Sequence, residues 1–197
     1  PVVLIGNSIG GVIVLNASKK LNERCSQIVL IDCAQRTMDD KQLYNQSSFM
    51  YFIRPIIKTL VRQKLLSKTL FKNAAKPDFI KKILKVAYPS GNNINKELIN
   101  ILFEPTQRKG APEAFRGFIN LFDDHLAPDL LKNINNPVHL ICGEKDPWEP
   151  LTVAKKWKEN FQCIKSLEVI SNAGHCPHDE MPEKVNPILK RIIQEAI

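Results

Sequence analysis

The chain has 197 residues, of which 44% are hydrophobic and 24% charged, and carries a formal net charge of +8. That balance is ordinary for a globular protein, does not suggest disorder, and suits one domain, or one domain with a large insertion. Five cysteines, at 25, 33, 142, 163 and 176, form no C-x-x-C pair, which argues against a disulfide framework or zinc site and for a reducing compartment.

In chain order, residues 2–5 are a short apolar run that reads as a strand. It passes directly into Gly6-Asn7-Ser8-Ile9-Gly10-Gly11, a G-x-S-x-G turn, and then into a helix from residue 10 to about 21 with Val12, Ile13 and Leu15 on its buried side. Such a strand–turn–helix aims a serine hydroxyl above the C-terminal edge of a parallel sheet. The two glycines are expected to relieve a strained turn. The free N–H groups of the first helical turn, Ile9 first, are candidate oxyanion donors.

Further strands are expected at 27–31, 138–142 and 167–170, all rich in Val, Ile and Leu without strict alternation, as in a parallel sheet covered on both faces. The third strand leads through a loop to a helix containing Ala154 and Trp157. The fourth leads through residues 171–179 to a last helix with Pro182 in its first turn and Val185, Ile188, Leu189, Ile192, Ile193 and Ala196 as its apolar stripe. Between strands two and three no parallel strand is visible; residues 49–72, 77–86, 94–103 and 113–122 read as helices. The fold class is therefore α/β with a helical insertion: residues 1–34 and 137–197 form the core, and 35–136 form a helical cap with its return connection.

Asp146 follows the third strand in Gly143-Glu144-Lys145-Asp146-Pro147-Trp148, and His175 follows the fourth in Asn172-Ala173-Gly174-His175. Both therefore fall on the sheet edge that carries Ser8. A serine hydroxyl needs a base to take its proton during attack. His175 is the candidate base, and Asp146 the carboxylate that orients it and stabilises the imidazolium. Alone, each has a plainer reading: a small turn residue, a turn or cap before Pro147, a loop histidine. Their order and shared edge favour catalysis. His175-Cys176-Pro177-His178-Asp179-Glu180 is not read as a metal site, since no other segment offers a ligand set. His178 is expected to meet polar groups of its loop, and Glu180 to favour the N-terminus of the last helix. Cys176 lacks the strand–turn–helix setting of a nucleophile.

The elbow at residues 6–11, the Gly143-Glu144-Lys145-Asp146-Pro147-Trp148-Glu149-Pro150 segment and the run from Gly174 to Glu180 with Pro182-Glu183 and Val185-Asn186-Pro187 resemble α/β-hydrolases of the chlorophyll dephytylase and pheophytinase group. The resemblance implies an α/β-hydrolase fold, a Ser8–Asp146–His175 triad, no cofactor, and hydrolysis of a hydrophobic carboxylic ester such as the phytyl ester of chlorophyll or pheophytin. It also implies a cytoplasmic or plastid, thylakoid-associated setting. Rival readings are a generic esterase or lipase, a cofactor-free perhydrolase, and a hydrolase-fold binding protein without turnover. The strands that precede the elbow in that fold, and the loop that supplies a second oxyanion N–H, have no counterpart here. The expectation is a truncated, weakly active portion whose first strand is an exposed edge.

Residues 35–136 carry the whole net charge of +8. Arg54, Lys58, Arg62, Lys64, Lys68 and Lys72 lie in a stretch, 49–72, that holds no acidic residue. A basic face opposite an apolar stripe can rest on an anionic membrane surface, which would suit a membrane-resident substrate. No nucleic-acid-binding motif or aromatic platform accompanies the charge.

Overall fold

The computed structural model describes residues 1–35, 63–121 and 127–196. The elements are β1 (Val2–Asn7), α1 (Ile9–Leu21), β2 (Cys25–Ile31), α2 (Lys64–Ala74), α3 (Pro77–Ala87), α4 (Lys96–Phe103), α5 (Ala111–Leu121), α6 (Ala127–Leu131), β3 (Val138–Gly143), α7 (Leu151–Asn160), β4 (Ile164–Ile170), α8 (Pro177–Glu180) and α9 (Pro182–Gln194). The chain divides into two compact units. One comprises Pro1–Gln35, Val86–Asn93 and His125–Ile197; the other comprises Arg36–Lys85 and Ile94–Asp124.

The first unit is built on a parallel sheet of order β1-β2-β3-β4. The two inner strands are buried throughout their apolar runs, which is why they read as continuous hydrophobic stretches. Val29, Ile31, Ile141 and Ile170 form one core cluster with Ala173, Met181, Val185 and Ile192, so α9 covers that face. Ile28, Leu30 and Leu140 alternate to the opposite face. Parallel strands all end on one edge. The turns after β1, β2, β3 and β4 therefore meet there, and they carry Ser8, Asp32, Asp146 and His175.

All four expected strands are present, each longer by one to three residues. On α1, Gly11, Val12, Leu15 and Ser18 are buried, whereas Ile13, expected inside, is 60% exposed. At 100° per residue it leaves the face set by Gly11, Leu15 and Ser18. On α9, Ile193 is likewise 37% exposed, while Val185 and Ile192 are buried. Pro182 opens that helix, as expected, and Pro187 lies within it.

The expected cap, 35–136, differs at its boundaries. Val86–Asn93 belongs to the α/β unit, as does α6, which packs against α1. In the helical unit, α2 and α5 pack through Phe71 and Phe115, with ring centroids 5.5 Å apart. Lys68 pairs with Glu113 at 3.5 Å, so an acidic partner from another helix offsets part of the basic stretch. Arg54, Lys58 and Arg62, with the rest of 49–62, lie outside the described residues. No helix among the described residues is long and apolar enough to cross a membrane.

The buried thiols of the first unit are Cys25, Cys33 and Cys142. Burial raises the pKa of Cys25 and, far more strongly, that of Cys142.

Candidate active site

Ser8 sits between β1 and α1 at φ 53°, ψ −121°, a backbone conformation that side-chain-bearing residues rarely adopt. Three backbone hydrogen bonds hold it there. Ser8 N–H donates to the Ile31 carbonyl (2.9 Å), and its own carbonyl accepts from Gly11 (3.0 Å) and Ala34 (3.1 Å). The end of β2 thus fixes the turn after β1. Of the two motif glycines only Gly6 is sterically required: a Cβ there would overlap the Gly10 carbonyl, whereas one on Gly10 meets nothing within 4 Å. Gly11 is the second crowded position, because its Cβ would fall 2.5 Å from Cys33 Sγ. Ile9 is the first residue of α1, so its N–H lies in the turn without intrahelical acceptors.

Asp146 and His175 are joined by a hydrogen bond of 2.8 Å between Oδ2 and Nδ1. The Asp146 side chain is 1% exposed. Its Oδ1 also accepts from the backbone N–H groups of Trp148 (2.8 Å) and Glu149 (3.2 Å). A carboxylate at Nδ1 assigns the proton to that nitrogen and leaves Nε2 as the basic atom. The Trp148 ring meets the imidazole edge-on, with centroids 4.8 Å apart.

Ser8 joins this pair through its neighbour. Asn7 Nδ2 donates to the His175 carbonyl (3.0 Å) and to the Ile31 carbonyl (3.2 Å). Among the described residues Ser8 Oγ forms no hydrogen bond to the imidazole, and nucleophile–base bonds commonly tighten only when substrate is bound.

Several supporting residues carry no signal in the sequence. Glu180 does not serve the start of α9, as expected, because its buried carboxylate turns back. Oε2 accepts from Gly174 N–H (2.6 Å) and Oε1 from Ser90 N–H (2.8 Å). His175 N–H donates to the Ala87 carbonyl (2.8 Å), and Tyr88 OH to Asp179 (2.6 Å). Residues 87–90, far from His175 in sequence, therefore cradle its loop. Gly174 fits there because a Cβ would overlap Ala87 and Pro89.

His178 also departs from expectation: its buried Nδ1 has no hydrogen-bond partner, and burial lowers its pKa. Cys176 is no thiolate, since burial pushes its pKa up to about 11.

Asp32, at the end of β2, is fully buried at φ 38°. Both of its carboxyl oxygens lie within hydrogen-bond distance of Gly143 N–H, at 3.0 and 3.1 Å. Gly143 also ties it to Asp146, whose N–H donates to the Gly143 carbonyl (3.3 Å). Burial first, and then the Asp146 charge, hold its pKa well above the usual carboxylate range. No group of three or more His, Cys, Asp or Glu among the described residues is arranged to hold a metal ion.

Within the helical unit, an apolar cavity of about 280 Å³ is lined by residues including Phe71, Phe79, Ile80, Ile83, Leu102 and Phe115.

A profile of the Alpha/beta hydrolase family matches residues 1–188. Pheophytinase, chloroplastic, of Arabidopsis thaliana is 32% identical over 130 residues, covering 64% of this chain and 26% of that protein. The uncharacterized hydrolase YugF of Bacillus subtilis (strain 168) is 27% identical over 184 residues, covering 93% of this chain and 62% of that protein. Karrikin insensitive 2 receptor CA of Petunia hybrida is 34% identical over 68 residues, 34% of this chain and 25% of that one. Among solved structures, the meta-cleavage product hydrolase CumD of Pseudomonas fluorescens IP01 superposes with a TM-score of 0.71 at 18% identity, covering 98% of this chain and 64% of its own. At that identity the likeness is one of fold. The chain thus spans 26% and 62% of the lengths of the first two relatives.

Proposed function

The chain belongs to the alpha/beta hydrolase family, and from that premise we propose that it is a serine hydrolase acting on a hydrophobic carboxylic ester through an acyl-enzyme. The observation that carries the reading is the 2.8 Å Asp146–His175 hydrogen bond, formed on a loop whose carbonyl is bound by the residue preceding Ser8. Ser8 Oγ attacks the ester carbonyl while His175 Nε2 takes its proton. The charge developing on the carbonyl oxygen meets the N–H of Ile9. Asp146 stabilises the imidazolium, which then protonates the departing alcohol. Water, activated by the same imidazole, releases the acid and restores Ser8.

A phytyl ester of chlorophyll or pheophytin is the preferred substrate. The pheophytinase relative supports it. The basic stretch ending in Lys64, Lys68 and Lys72 would draw the protein to an anionic membrane holding such a substrate. Flotation with anionic vesicles at low salt tests that attraction, and absence of binding refutes it.

The test of the main reading is covalent labelling by a fluorophosphonate, expected in the wild type and lost in Ser8→Ala. It is followed by hydrolysis assays on pheophytin, chlorophyll and short p-nitrophenyl esters. A second reading, a hydrolase-fold receptor that binds without turnover, is favoured by the karrikin receptor relative. No labelling and no hydrolysis, with retained ligand binding, would select it.

A further inference from the structure

An ionised carboxylate only accepts hydrogen bonds, so two carboxyl groups bonded to each other share a proton. Asp32 and Asp146 both bear on Gly143, whose N–H donates to the first and whose carbonyl accepts the N–H of the second, and the donors around each carboxyl group decide which would hold such a proton. Asp146 already accepts from Trp148 and Glu149 N–H through Oδ1 and faces the imidazole Nδ1 through Oδ2. Those three donors leave its carboxylate one more acceptor site. Asp32 is completely buried, receives one backbone N–H, that of Gly143, shared between its oxygens, and feels the acidic groups of both Asp146 and Glu149. The Cys142 thiol, its neighbour on β3, is also driven toward the neutral form. Like charges this close cannot all ionise in a dry setting.

We propose that Asp32 is a protonated carboxylic acid that donates a hydrogen bond to Asp146, acting as a positioning residue for the Asp146–His175 pair. The proton stays on Asp32 throughout turnover. Its work is to fill the last acceptor site of Asp146 and hold that carboxylate in line with the imidazole. Burial and the neighbouring charges raise the affinity of Asp32 for that proton, in agreement with the geometry. The inference rests on the Ser8–His175–Asp146 reading for its role in rate, but the proton itself is detectable without turnover.

Two measurements test it. The infrared difference spectrum between wild type and Asp32→Asn at neutral pH is expected to contain the C=O stretch of a protonated carboxylic acid. Finding only carboxylate bands in that difference overturns the proposal. In the second, the rate of fluorophosphonate labelling at Ser8 is compared across variants that retain a cooperative melt. Asp32→Ala, which leaves Asp146 without that donor, is expected to slow labelling about tenfold. Asp32→Asn, whose amide donates to Asp146 and whose oxygen accepts from Gly143, restores most of the rate. Equal loss in Ala and Asn variants overturns the proposal. If the wild type is not labelled at all, the hydrolase reading fails, and the infrared measurement alone decides whether Asp32 is protonated.

Discussion

Asn7 Nδ2 donates a 3.0 Å hydrogen bond to the carbonyl oxygen of His175, 168 residues away along the chain. One amide thereby spans the turn after β1 and the loop after β4, and its second hydrogen bond, to Ile31 at 3.2 Å, adds the end of β2. Removing it leaves two partly buried carbonyl groups without this donor. Asn7→Ala is expected to cost about 1–2 kcal/mol of stability and to slow labelling of Ser8 roughly tenfold. Urea denaturation and labelling time courses read the two effects, and an unchanged labelling rate would show that the tie is not needed.

The elbow glycines should separate cleanly. A methyl group on Gly11 would meet Cys33 Sγ at 2.5 Å and Cβ at 2.9 Å, whereas one on Gly10 enters open space. Gly11→Ala is expected to lose about 1–3 kcal/mol through overpacking. Gly10→Ala should gain roughly 0.5–1 kcal/mol from helix propensity. The shift of the urea midpoint at constant slope measures both. Destabilisation by Gly10→Ala equal to that of Gly11→Ala would contradict the packing described.

Glu180 holds two backbone N–H groups, those of Gly174 and Ser90, with a carboxylate that is 1% exposed. In Glu180→Ala both donors lose their acceptor. The expected loss is about 2–4 kcal/mol, together with faster amide hydrogen exchange at residues 174 and 90. Exchange at those two amides no faster than in wild type would mean that other acceptors replace the carboxylate.

His139, on β3, is buried with Nδ1 bonded to Ser166 Oγ at 2.8 Å and no partner at Nε2. Burial lowers its pKa below the ordinary value. Glu195 and Glu168 pull upward against that, while Arg191 and Lys158 add to the lowering. The unfolded chain therefore takes up the proton first. Stability is unaffected by this group above about pH 6.5. It falls as pH drops below that value, by at most about 1.4 kcal/mol per pH unit, until the folded pKa is passed. His139→Gln should flatten this decline relative to wild type. Parallel stability–pH curves from 7.5 down to 5 would refute the assignment.

The strands were legible because an inner parallel strand must be apolar on both faces, and residues 27–31 and 138–142 are. Ser8, Asp146 and His175 could be found because each follows such a run and the strands end on one edge. Asp32 follows one as well, yet a lone acid after a strand resembles any turn residue. Its meaning comes from Gly143 and Asp146, more than a hundred positions away. The cradle at residues 87–90 was hidden for the same reason. Backbone acceptors and donors such as Ala87 and Ser90 leave no trace in side-chain chemistry, and their partners are set by the path of the chain back from the insertion. Ile13 shows the limit of periodicity, since an isoleucine next to a buried valine looks internal until the helix phase is known.

The enclosed sulfhydryl groups of Cys25, Cys33 and Cys142 give the molecule an internal reporter. A maleimide or disulfide reagent reacts with thiolates it can reach, so modification at these three positions should wait for opening of the sheet. Counting modified sites by mass against time would then follow excursions of the native state, with no dye or engineered label required.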